Sequence, residues 1–145
     1  MKKIIFVTMA VLGFTISLHA WEIDSEDTDS LLSKYDKDTL TSISNELVKI
    51  ASEEEASGEF ELASGHYTRA LKIREAVGLD QHKSYASILY LASIAHSKAG
   101  NYCEATKHAK KASESFQQHG IQKYMVKANQ DMQEYAKACA VLAYK

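Results

Sequence analysis

Cys103 and Cys139 are the only cysteines of a 145-residue chain that also carries six histidines and 19 carboxylates. Two thiols can close one disulfide, or remain as a buried thiol and a reactive one. His96, Cys103 and His108 bear metal-ligating atoms, but separations of 7 and 5 match no standard ligand spacing, so no metal is expected. Glu53, Glu54 and Glu55 are consecutive, which on a helix points them to three different sides and makes them a solvated surface rather than an acid–base pair. No glycine-rich phosphate loop and no paired zinc motif occurs. These residues offer neither a nucleophile site nor a cofactor site, and the chain is read as non-catalytic.

The histidines point instead to how the chain is organised. His66 and His108 are 42 residues apart, and the same interval separates Gly58 from Gly100, Phe60 from Tyr102, Ala63 from Ala105, Ala70 from Ala112 and Gly78 from Gly120. One fixed period in the range of about 20 to 50 residues marks a repeat architecture, whose units bury their apolar faces only on their neighbours. The two histidines recur because the unit recurs.

Composition agrees with a single helical domain: 46% hydrophobic, 25% charged and no proline to interrupt a helix. Residues 1–20 stand apart. Lys2 and Lys3 precede an uncharged apolar run from Ile4 to Leu18, which ends in Leu18-His19-Ala20 before an acidic stretch. That order reads as an export signal cut after Ala20, giving a periplasmic or secreted protein. The alternative is an uncleaved anchor, for which the run falls short of the roughly 20 residues a helix needs to cross a bilayer. Removal of Lys2 and Lys3 leaves 15 basic against 19 acidic residues. A net-acidic exported chain without a strong basic cluster excludes nucleic acid as the expected partner, and signal removal leaves no membrane contact.

Residues 21–38 form an acidic leader; 21–29 show no period, and Leu31, Leu32 and Tyr35 give one short helical turn that docks on the body. Leu40, Ile43, Leu47, Ile50 and Ala51 then fall three or four apart, which predicts a helix to about Ser57 closed by Gly58. Phe60, Ala63, Tyr67, Ala70, Leu71 and Ile73 predict its antiparallel partner, closed by Gly78. The next helix, from Tyr85 to Ala95, is apolar almost all round and should therefore lie in the middle. Tyr102, Ala105, Ala109, Ala112 and Phe116 complete the second hairpin. Ile121, Tyr124, Met125, Ala128, Met132, Tyr135, Cys139 and Leu142 stripe a final amphipathic helix, and there the echo stops, with Leu89 matched by Asp131. The expected fold is all-α: an antiparallel helical-hairpin solenoid with repeats over 39–78 and 79–120 and a capping helix over 121–145.

Within that fold the cysteines can be placed. Cys103 lies 17 residues before Gly120 and Cys139 19 after it, so at about 1.5 Å per residue both stand near one level of an antiparallel pair. A disulfide there would stabilise by on the order of 3 kcal/mol. The alternative is a buried free Cys139, with Cys103 near a helix start that favours its thiolate.

Leu47, Ile50, Ala51, Gly58, Phe60, Ala63, Tyr67 and Ala70, echoed by Leu89, Ala92, Ser93, Gly100, Tyr102, Ala105 and Ala112, resemble the tetratricopeptide repeat, especially its 42-residue form known from kinesin light chains. Glu54 and His96 stand where that family usually has an aromatic, Ala109 stands where Tyr67 and its like would be, and neither unit ends in proline. Two units and a cap are fewer than the three or so that stacking usually requires. The resemblance implies a non-catalytic scaffold that binds a protein or peptide segment on the concave surface of the first helices. Carried over, the surface holds Asn45, Val48, Ser52 and Glu55, then Tyr90, Ile94, Ser97 and Lys98, with Asn129 and Gln133 closing the row. The alternative is a homodimer that buries the same surface. No cofactor is implied.

Overall fold

The computed structural model describes residues 26–143. The expected export signal and residues 21–25 lie outside the described residues. Within them are six helices and no strand: α1 (Thr28–Lys34), α2 (Lys37–Ser57), α3 (Phe60–Ala76), α4 (Lys83–Lys98), α5 (Tyr102–Gln118) and α6 (Gln122–Ala143). From α2 onward each helix packs on the next, and α1 packs on α3. This is an all-α solenoid.

The period is visible in the joints. At Gly58, φ is 83°, a left-handed backbone that a side chain would strain, and the next N–H, of Glu59, reaches back to the carbonyl of Glu54 at 2.9 Å. Gly100 repeats this with φ 83° and Asn101 donating to His96 at 2.8 Å. The same reach closes α3 (Leu79 to Arg74) and α5 (Ile121 to Phe116). Each joint satisfies carbonyls that a helix end leaves orphaned and turns the chain back within a few residues.

Small residues let the helices approach. Ala51, Ala63, Ala70, Ala92, Ala105 and Ala112 expose no surface. As its composition requires, α4 buries Tyr85, Ala86, Ile88, Leu89, Ala92, Ser93 and Ala95 between α3 and α5. Full burial of a side chain such as Leu89 contributes about 1.5 to 3 kcal/mol.

The ends depart from expectation. Helix α1 begins at Thr28, inside the stretch read as having no period, because the Asp27 carboxylate accepts the N–H groups of Asp29 (3.0 Å) and Ser30 (3.1 Å). Its Leu31 is wholly buried in a cluster with Leu40, Ile43, Leu47, Ala70, Ile73 and Val77. At the other end, α6 buries only Ala128 and Asp131 and leaves Tyr124, Val126, Val141 and Leu142 exposed, since α5 is the helix it packs against. Cys103 and Cys139 are joined in a disulfide, Cα atoms 4.9 Å apart, that fastens the start of α5 to the end of α6. The free-thiol alternative is thereby set aside.

Candidate functional site

Helices α2, α4 and α6 open successive units, and side chains tie them together along one face. Between α2 and α4, the Lys98 ammonium donates to Glu55 Oε1 at 2.8 Å and stands 5.0 Å from the centre of the Phe60 ring. The Tyr67 hydroxyl, 3.4 Å away, donates to the other oxygen of Glu55. Toward the opposite ends of α2 and α4 lies Arg74, only 8% exposed. Its Nε donates to Ser44 Oγ (3.0 Å), Nη1 to Ser84 Oγ (2.8 Å) and Nη2 to Asn45 Oδ1 (2.6 Å). All three acceptors are neutral, and burial lowers the guanidinium from its ordinary value.

Between α4 and α6 the tie is a buried carboxylate. Asp131 accepts from the Tyr90 hydroxyl at 2.7 Å and from Lys127 at 2.5 Å. The Tyr90 ring meets Phe116 edge-on, centroids 6.2 Å apart at 74°. Burial first, then the bond to Asp131, hold the Tyr90 phenol above its usual range; burial and Glu55 push Tyr67 up to about 12. Both hydroxyls are neutral donors near pH 7.

The expected lining residues divide by exposure. Asn45, Ser52, Lys98, Asn129 and Gln133 are exposed; Val48, Glu55, Tyr90, Ile94 and Ser97 are half-buried. The structure brings Glu55 to Lys98, and Ser97 to the Tyr135 hydroxyl. Asn45 is engaged by Arg74 rather than free. Tyr90 is no open anchor: its ring and hydroxyl are both taken up inside the protein. Reasoning from the sequence passed over Asp131, although its signal was present, since an acid stands where the echo of Leu89 would place an apolar residue.

A family model described as a tetratricopeptide repeat matches residues 46–118, just over half of the 145. The chain belongs to the tetratricopeptide repeat family. No curated relative and no solved structure matches it. Tetratricopeptide repeats generally mediate protein–protein interaction, and the family is typically a non-catalytic scaffold. In this tetratricopeptide repeat protein, the side formed by α3 and α5 carries a depression of about 230 Å³, lined among others by Glu75, Asp80, Tyr85, Lys111 and Glu114. Tyr85 donates its hydroxyl to Glu75 there, and burial with that carboxylate raises the phenol well above its usual range, so it supplies no proton near neutrality. Among the described residues, no three His, Cys, Asp or Glu side chains are grouped to hold a metal.

Proposed function

We propose that the protein is an exported scaffold that holds a segment of another protein along the face made by α2, α4 and α6, without chemistry. The observation that carries this reading is the alignment of that face. Glu55–Lys98 and Tyr90–Asp131 fix three helices side by side, while Ser52, Asn129 and Gln133 remain exposed beside half-buried Val48 and Ile94. Apolar positions among polar ones suit an extended or helical segment. Affinity capture by the exported form tests it, repeated with Ser52→Arg and Gln133→Arg, which enlarge exposed positions and spare the core. Loss of the captured protein is expected with both, and retention with Leu62→Ser on α3. Capture that survives both arginines removes the face from the reading.

Export is supported by the basic and apolar start and by the disulfide, which an oxidising compartment maintains. No helix of the described residues is long and apolar enough to cross a membrane. The mass of the protein recovered after export is expected to place Trp21 at the N-terminus; retention of residues 1–20 would contradict cleavage. A second reading is self-association, for which α6 exposes Tyr124 and Val126 near its start and Val141 and Leu142 near its end as apolar side chains that a second copy would cover. Mass in solution at micromolar concentration decides it: a dimer supports this reading, and a monomer leaves the scaffold.

A further inference from the structure

The two hairpins differ at one pair of equivalent positions. In the first, Glu54 of α2 faces His66 of α3, its carboxylate 2.7 Å from Nδ1. In the second, the residues 42 positions on are His96 of α4 and His108 of α5, whose rings stack with centroids 5.1 Å apart and planes at 25°. His96 Nε2 lies 3.2 Å from Thr68 Oγ1 of α3, but Nδ1 of His96 and Nδ1 of His108 are buried without a hydrogen-bond partner. A neutral imidazole has one ring nitrogen that only accepts, whereas an imidazolium must donate from both, and a buried donor without an acceptor is destabilising. A second proton would set two like charges face to face.

We propose that the stacked His96–His108 pair makes the second hairpin an acid-released joint, loosened when either ring takes a proton, while the Glu54–His66 pair keeps the first hairpin closed. The charged groups around the stack do not reverse this. From α3 come Glu61 and Glu75, from α5 Glu104 and Lys111, and from α4 the opposing ring itself. Glu104 is already bound by Lys107 at 2.6 Å, and Lys111 repels a charge on His108. Burial outweighs the carboxylates and is the main reason that His108 is lowered to about 4 and His96 below its ordinary value. Both rings therefore bind protons more tightly in the opened hairpin than in the closed one. The stabilisation is fully present above the ordinary histidine value of about 6.5 and is lost as pH falls from there toward 4. In the first hairpin the equivalent ring, His66, instead has a carboxylate partner for its Nδ1, that of Glu54. Ile94 and Lys98 lie on α4, so acid would also release a segment bound there; that last step rests on the scaffold reading, and the opening of the hairpin does not.

Hydrogen exchange read helix by helix tests the opening without any ligand, on the exported protein at about pH 7.5 and about pH 5, corrected for intrinsic rates. Protection in α4 and α5 is expected to fall by up to about tenfold per pH unit for each titrating ring, with α2 and α3 unaffected. His96→Glu gives the second hairpin the pair found in the first, and should abolish the fall. His96→Phe keeps a ring in the stack, covers the case in which the glutamate variant does not fold, and should halve the slope. Protection that ignores pH, that falls equally in α2 and α3, or that falls in both variants as in the parent would overturn the proposal.

Discussion

Tyr90 is the side chain on which the face of α2, α4 and α6 most depends, since its hydroxyl is one of two donors to the buried Asp131. Tyr90→Phe leaves that carboxylate with Lys127 alone, and urea unfolding near pH 7 is expected to show a loss of about 1 to 3 kcal/mol. Glu55 and Lys98 behave differently, because the lysine side chain is 45% exposed and water screens the pair. A double-mutant cycle with Glu55→Ala and Lys98→Ala should give a coupling below about 1 kcal/mol that shrinks further in salt. A much larger effect of Lys98→Ala on capture than on stability would therefore belong to the bound segment. The tetratricopeptide resemblance was enough to place Glu55 and Lys98 on neighbouring first helices. It could not pair Arg74 with Asn45 or Tyr90 with Asp131, because those bonds span 29 and 41 residues and are set by interhelical distance, which no local pattern encodes.

At the scale of elements, α2 to α6 were legible because each announces itself locally. Apolar residues recur at helical spacing, and a glycine that the left-handed joint requires follows each of the first four. Helix α1 was only half legible. Its seven residues are too few for a period to show, and its capping Asp27 reads as one more solvated acid. Yet Leu31, wholly buried, makes α1 part of the core rather than a leader laid over it. Leu31→Ala is expected to cost about 2 to 5 kcal/mol in urea unfolding, the range for emptying a buried leucine site. A change below about 0.5 kcal/mol, the usual effect of a surface substitution, would mean that α1 is dispensable.

For the molecule as a whole, stability in a solenoid is close to a sum of unit terms and nearest-neighbour terms, so the ends are where it gives way first. Here α1 covers one end, and the other is a single helix, α6, packed on α5 and crossed by a disulfide that closes a 36-residue separation. A loop of that length raises stability by about 4 kcal/mol through its effect on the unfolded chain. Replacing both cysteines, Cys103→Ser with Cys139→Ser, should remove most of that. The loss should not be uniform. Helix α6 buries only Ala128 and Asp131 and is tied to α4 through Tyr90 and Ser97, so its amides should exchange first, α5 next, and α2 and α3 last. Unfastened, α6 would also offer Met125 and Met132 beside the apolar side chains it already exposes, and sedimentation should then show association that rises with concentration. Simultaneous loss of protection in α6 and α2 would mean that the six helices unfold as one unit, and that neighbour contacts do not govern where this chain opens.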